Sequence, residues 1–131
     1  MDVVKKCVFE IFIFSGKDNG APLTWYNVKK GNQYRFRVIG VGSMYPIRIS
    51  IDQHSLQVVA SDGYDLKPMV VESFIINPGE RFDFIVDANQ TVGNYWVRGE
   101  SIEVHLTKFF NIFFFNLTSR RNDFILIALY W

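Results

Sequence analysis

The sequence predicts an all-β fold, a β-sandwich or small barrel of short strands, on three observations. Segments rich in β-branched and aromatic residues recur at short intervals, apolar and polar residues alternate within them, and turn-forming pairs separate them. Strands are expected over 23–28, 33–39, 46–51, 55–60, 70–76, 81–87, 95–98 and 102–105. No helical segment competes. The first, LTWYNV, is aromatic and ends before Lys30-Gly31. In the second, Tyr34, Phe36 and Val38 alternate with Gln33, Arg35 and Arg37, so one face is buried. The third repeats this with Ile47, Ile49 and Ile51 against Arg48, Ser50 and Asp52, and the fourth, SLQVVA, stops at Asp62-Gly63. The fifth, VVESFII, is bounded by Pro78-Gly79. The sixth sets Phe82, Phe84 and Val86 against Arg81, Asp83 and Asp87. Gly93-Asn94 precedes the last two short strands. Each turn pair supplies residues that tolerate turn backbone angles.

Composition sets limits on function. A chain of 131 residues, 49% hydrophobic and 21% charged, suits one globular domain that buries roughly two thirds of its unfolded surface without a disulfide. With 14 basic and 13 acidic residues spread along the chain and a net charge of +1, no dense positive face is available for phosphates, and no nucleic acid partner is expected. One cysteine makes no internal disulfide; Cys7 reads as a packing residue or free thiol rather than half of an intermolecular bridge.

Both ends depart from the strand pattern. Residues 1–15 begin like a signal peptide, with Lys5 and Lys6 before an apolar stretch, but Glu10 interrupts the run and no small-residue cleavage site follows. Residues 106–131 form an apolar tail, strong at 109–117 and 124–131 and split by Arg120, Arg121 and Asp123. Neither piece reaches the ~20 apolar residues of a membrane span. The tail, rich in Phe, Ile, Leu and Asn and poor in turn punctuation, reads as translated non-coding sequence beyond an exon boundary; an amphipathic or interaction helix is the alternative.

Three strings taken together are specific. NVKKGNQYRFRVIG, ISIDQHSLQVVASDGYDLKP and VESFIINPGERFDFIVDANQTVGNYWVR resemble, in order and spacing, the central cupredoxin domain of laccase-type multicopper oxidases. The matching features are Tyr34 to Arg37, His54, Asp62-Gly63, Pro78 to Asp83 and Tyr95-Trp96. The resemblance implies a cupredoxin-like Greek-key β-sandwich over 16–105, incomplete at its N-terminal edge because strands before SGKDNG lack a counterpart. It further implies copper as the parent family's cofactor, flanking cupredoxin domains as partners, phenolic-type substrates oxidised with reduction of dioxygen, and an extracellular location. In the family the copper ligands lie in the first and last domains, in H-x-H and H-C-H segments, and neither motif occurs in this chain. A copper-ligand-free structural domain, inactive by itself and binding no cofactor, is therefore expected.

The remaining candidates for chemistry read as structural. His54, in Asp52-Gln53-His54-Ser55, has an acidic neighbour that could orient its ring as partners of metal ligands do. A blue copper site also needs a cysteine and a second histidine. Cys7 is far away in sequence, and His105 stands at the junction with the tail. Met44 and Met69 read as core or surface residues rather than axial ligands. Gly40-Val41-Gly42 lacks the third glycine of a dinucleotide fingerprint, and no G-x-S-x-G elbow or Walker lysine exists. Glu80 with Asp83, or Asp62 with Asp65, could be imagined as acid and base, but the charges of the 80–83 corner are expected to face solvent or pair with one another. Trp25 and Trp96 could line a sugar or aromatic site, against a core or interdomain role. No catalytic, cofactor-binding or metal residue is assigned. Asn89, in Asn89-Gln90-Thr91, is the glycosylation candidate, ahead of Asn116 in the tail. The contrasting functional reading is a stand-alone secreted β-sandwich acting as an interaction module.

Overall fold

A computed structural model describes residues 24–41, 45–102, 109–118 and 124–129. Among the described residues all ten elements are strands: β1 (Thr24–Lys29), β2 (Gln33–Gly40), β3 (Ile47–Ile51), β4 (Leu56–Ser61), β5 (Tyr64–Val71), β6 (Ser73–Ile76), β7 (Arg81–Asp87), β8 (Asn94–Ser101), β9 (Phe109–Thr118) and β10 (Phe124–Leu129). They form two five-stranded sheets ordered β1-β9-β8-β3-β6 and β10-β2-β7-β4-β5. Pairing is antiparallel except for β1 with β9 and β10 with β2, which are parallel.

The alternation seen in the sequence becomes the core. Tyr34, Phe36 and Val38 of β2, Phe84 and Val86 of β7, and Leu56 and Val58 of β4 face Ile47, Ile49 and Ile51 of β3, Ile76 of β6, and Tyr95 and Val97 of β8. Phe36 and Phe84 are register partners, and their rings stack at 5.1 Å. Phe74 crosses from the opposite sheet to meet Phe84 at 5.4 Å and Phe82 at 5.3 Å. Offset and tilted aromatic contacts of this kind add about 0.5–1.5 kcal/mol each to the area they bury.

Two turns show why their residues are needed. Asp62 and Gly63 both have positive φ, 50° and 87°, the requirement of the two-residue hairpin turn whose twist matches its strands. The turn is fastened, because Asp62 N–H donates to Arg81 O at 2.8 Å and Arg81 N–H donates to Asp62 Oδ1 at 3.0 Å. At the end of β2, Gly40 lies against the turn that opens β7: its N–H donates to Glu80 O at 2.9 Å and its carbonyl accepts from Gly79 N–H at 2.7 Å. A Cβ there would come within 2.5 Å of Asn77 O, so only glycine permits the approach.

Several expectations shift. The strand expected over 70–76 is two strands, since the chain leaves one sheet after Val71 and enters the other at Ser73. The stretch of β5 from Tyr64 to Met69 lies outside the expected strands because β5 is an edge strand, exposed from Tyr64 to Val70, and shows no apolar alternation. The strand expected over 95–98 continues through Gly99 to Ser101, held by register pairs Ile49↔Gly99 and Ile47↔Ser101. Ile102 lies outside any strand, while 103–105, including His105, fall outside the described residues. In the tail, 109–118 and 124–129 are strands rather than a helix, with β9 laddered between β1 and β8. Among the described residues β1 is an edge strand whose ladder partner is β9. Residues 1–15 with Cys7, and also Gly42 and Met44, lie outside the described residues.

Candidate functional site

His54 sits where β3 turns into β4. Ile51 and His54 form an isolated bridge, His54 N–H donates to Ile51 O at 3.1 Å, and Gln53 takes φ +60° to make the reversal. The imidazole is buried, 4% exposed, and packs edge-on against Tyr95 at 4.8 Å. Its Nδ1 lies 2.8 Å from the backbone carbonyl of Asp52. A carbonyl only accepts, so this contact assigns the proton to Nδ1 in the neutral ring. Asp52 does orient the ring, but through its main chain. Its carboxylate faces Arg98 in a two-pronged pair, Nε to Oδ1 at 2.7 Å and Nη2 to Oδ2 at 2.8 Å, and its N–H donates to Trp96 O at 3.0 Å. The hydrogen bond from Arg98 to Asp52 raises the arginine pKa, which keeps the guanidinium charged.

The second polar centre is built across β2 and β7. Alternation places Arg35 and Arg37 on the outer face of β2, and register sets Asp83 opposite Arg37. Arg35 donates from Nε and Nη2 to Asp83 Oδ2 at 2.9 and 2.7 Å; Arg37 donates from Nε to Oδ1 at 2.7 Å and from Nη2 to Oδ2 at 2.8 Å. Asp83 is 4% exposed. Burial pushes its carboxyl pKa up, but the hydrogen bonds and charges of Arg37 and Arg35 outweigh that and leave it below the ordinary carboxylate value.

The other candidates are accounted for singly. Glu80 accepts from Asn77 N–H at 2.7 Å and Asn77 Nδ2 at 3.1 Å, bracing the turn. Arg81 pairs with Asp62 at 3.2 Å and Asp83 with Arg35 and Arg37 of β2, so Arg81 and Asp83 take their partners from outside the corner rather than from each other. Asp62 stands in the turn of the β4–β5 hairpin, where it faces Arg81, and Asp65 stands on the β5 arm. Met69 is exposed on β5. Trp25 and Trp96 belong to β1 and β8 and are both in register with Phe114 of β9.

The donor set among the described residues does not fit copper. No three His, Cys, Asp or Glu side chains there come together as a metal site, and a blue copper centre requires imidazole and thiolate ligands converging on one point. The arginine pairs around Asp83 and Asp52 are what sequence reasoning left unpaired. At Asp83 the signal was the Y-R-F-R string, which puts Arg35 and Arg37 on one strand face.

Comparison with known proteins agrees with the all-β fold. The family model for multicopper oxidases matches residues 9–116. The chain belongs to the multicopper oxidase family. Laccase-1 of Pleurotus ostreatus is 42% identical over 88 residues, which are 65% of this chain and 17% of that protein. Laccase-2 of Trametes versicolor is 44% identical over 78 residues, 60% of this chain and 15% of that protein. The crystal structure of the Botrytis aclada laccase superposes with a TM-score of 0.67 at 27% identity, covering 82% of this chain and 22% of that one. The all-β sandwich is therefore the cupredoxin-like fold of a multicopper oxidase, and this chain spans 15–17% of the length of these two curated relatives.

Proposed function

We propose that this chain is the central, copper-ligand-free domain of a laccase-like multicopper oxidase, its role being to space and support flanking cupredoxin domains that hold the copper. One observation carries the reading. The charged and imidazole residues of the family-like strings, Arg35, Arg37, Asp83, Asp52, Arg98 and His54, are engaged with one another or with the main chain in contacts that lock strand to strand. In the parent the copper-dependent oxidation of phenolic-type substrates, coupled to dioxygen reduction, takes place at sites outside 16–105, in an extracellular setting.

The purified chain is expected to bind no stoichiometric copper, to show no intense visible charge-transfer band and to have no oxidase activity. About one tightly bound copper per chain, lost on His54→Ala, would overturn the proposal and place a ligand at His54.

A second reading, a stand-alone secreted β-sandwich serving as an interaction module, draws on the exposed apolar residues of edge strand β5, Tyr64, Leu66, Met69 and Val70. Sequencing transcripts across both ends separates the two. In-frame H-x-H and H-C-H segments support the oxidase domain and show whether 106–131 is coding sequence; a transcript without them supports the module.

A further inference from the structure

The connection between β7 and β8 carries Asn89-Gln90-Thr91. Residues 88–93 belong to no strand; Asn89 and Thr91 are exposed, and Val92 stands 66% exposed beside them. The loop backbone is nonetheless anchored at both ends. Ala88 N–H donates to Asn32 O at 2.9 Å, Ala88 O accepts from Gly31 N–H at 2.8 Å, and the Tyr95 hydroxyl donates to Thr91 O at 2.5 Å. Asn89 N–H bonds back to Asp87 O at 2.9 Å. Main-chain groups are thus held by local bonds while the Asn and Thr residues of an N-x-T acceptor face solvent.

We infer that Asn89 is an N-linked glycosylation site. The amide nitrogen Nδ2 of Asn89 bonds to the anomeric carbon of a lipid-diphosphate-linked oligosaccharide; the bond from that carbon to the diphosphate oxygen breaks, the lipid diphosphate leaves, and Nδ2 loses one proton. No oxidant or reductant is involved. The location suits a bulky hydrophilic group. Ladder pairs Ser61↔Phe82 and Gln33↔Asp87 put the β7–β8 loop at the end of β7 remote from the Asp62–Gly63 turn, so a glycan there covers Val92 without meeting a ladder. The other sequon, Asn116-Leu117-Thr118, differs: it lies in β9, whose backbone is laddered on both sides, with Asn116 in register with Asn27 and Asn94.

The test uses the full chain behind a supplied secretion leader, with a reporter N-x-T sequon appended at its C-terminus, translated with microsomes and expressed in a secreting eukaryotic cell. The reporter certifies that every scored chain met the transferase. Two glycans are expected on the parent chain and on Thr91→Ser and Asn116→Gln, and one on Asn89→Gln and Thr91→Ala, with glycosidase release converting residue 89 to aspartate in the peptide mass spectrum. A parent chain carrying the reporter glycan alone, or a second glycan that survives Asn89→Gln, would overturn the assignment.

Discussion

β4 and β5 are the two arms of one hairpin, joined by Asp62 and Gly63, yet their residues live in different environments. Along β4, Leu56, Val58 and Ala60 are buried while their neighbours are half-buried. Along β5, seven consecutive residues are exposed, including Tyr64 at 78% and Val70 at 65%. The ladder is continuous only at its ends. Val58 pairs with Met69 and Ala60 with Asp65, so three residues of β5, Leu66, Lys67 and Pro68, bulge opposite Val59. β4 has a strand on each side and a sheet above it; β5 has a strand on one side. Apolar character therefore stabilises one arm and leaves the other as surface, with Lys67 and Pro68 discouraging further strand addition at the open edge.

The largest contrast comes from truncating one side chain on each side of that divide. Phe84→Ala, which removes the ring between Phe36 and Phe74, is expected to cost about 3–5 kcal/mol, whereas Val70→Ala on β5 stays within about 0.5 kcal/mol. Denaturant unfolding of both variants checks this. Equal losses would mean that β5 is covered in the free chain.

A smaller effect tests the polar lock on the outer face of β2 and β7. Asp83→Asn removes the charge that faces Arg35 and Arg37, with an expected loss of about 1–3 kcal/mol at neutral pH, reduced from the fully buried case by the partial exposure of both arginines. The pH dependence has a definite sign. The folded-state pKa of Asp83 is depressed below its ordinary 3.8, so its contribution is complete above that value and is lost as pH falls through the folded pKa. Acid titration of stability should show a shallower fall below about pH 4 in Asp83→Asn than in the parent. Parallel curves would assign the acid sensitivity to other carboxylates.

The same divide explains what was legible in the sequence. β2 and β3 could be read residue by residue because a second sheet buries every other position, while β7 departs from that pattern at Asp83, which is buried beside Phe84. β5 could not, since an edge strand imposes no period on its residues. VVESFII reads as one strand because nothing in Val70 to Ile76 marks a break; the change of sheet at Glu72 is a tertiary event without a glycine or proline to announce it. The strands at 109–118 and 124–129 lack turn punctuation, and β1 and β2, with which they form parallel ladders, lie far upstream, so nothing near them in sequence marks them as strands. For the polar residues, identity was legible and partnership was not. Arg35, Arg37 and Asp83 were visible as outward positions, but their meeting depends on a register between strands 48 residues apart in sequence. At His54 the sequence pointed to local packing and hydrogen bonding beside an acidic neighbour, but not to the atom that orients the ring, which is the carbonyl of Asp52.

The crossing at Glu72 has a mechanical consequence. Val71 is laddered to Leu56 in one sheet and Ser73 to Ser50 in the other, with a single residue between them. The chain makes a second crossing at the same corner, from Ile51 to Leu56, and the Ser55 hydroxyl donates to Glu72 Oε1 at 3.1 Å, joining the two crossings. Two short links tied together pin this corner, so neither sheet can slide along the other there without first unzipping β5 or β6.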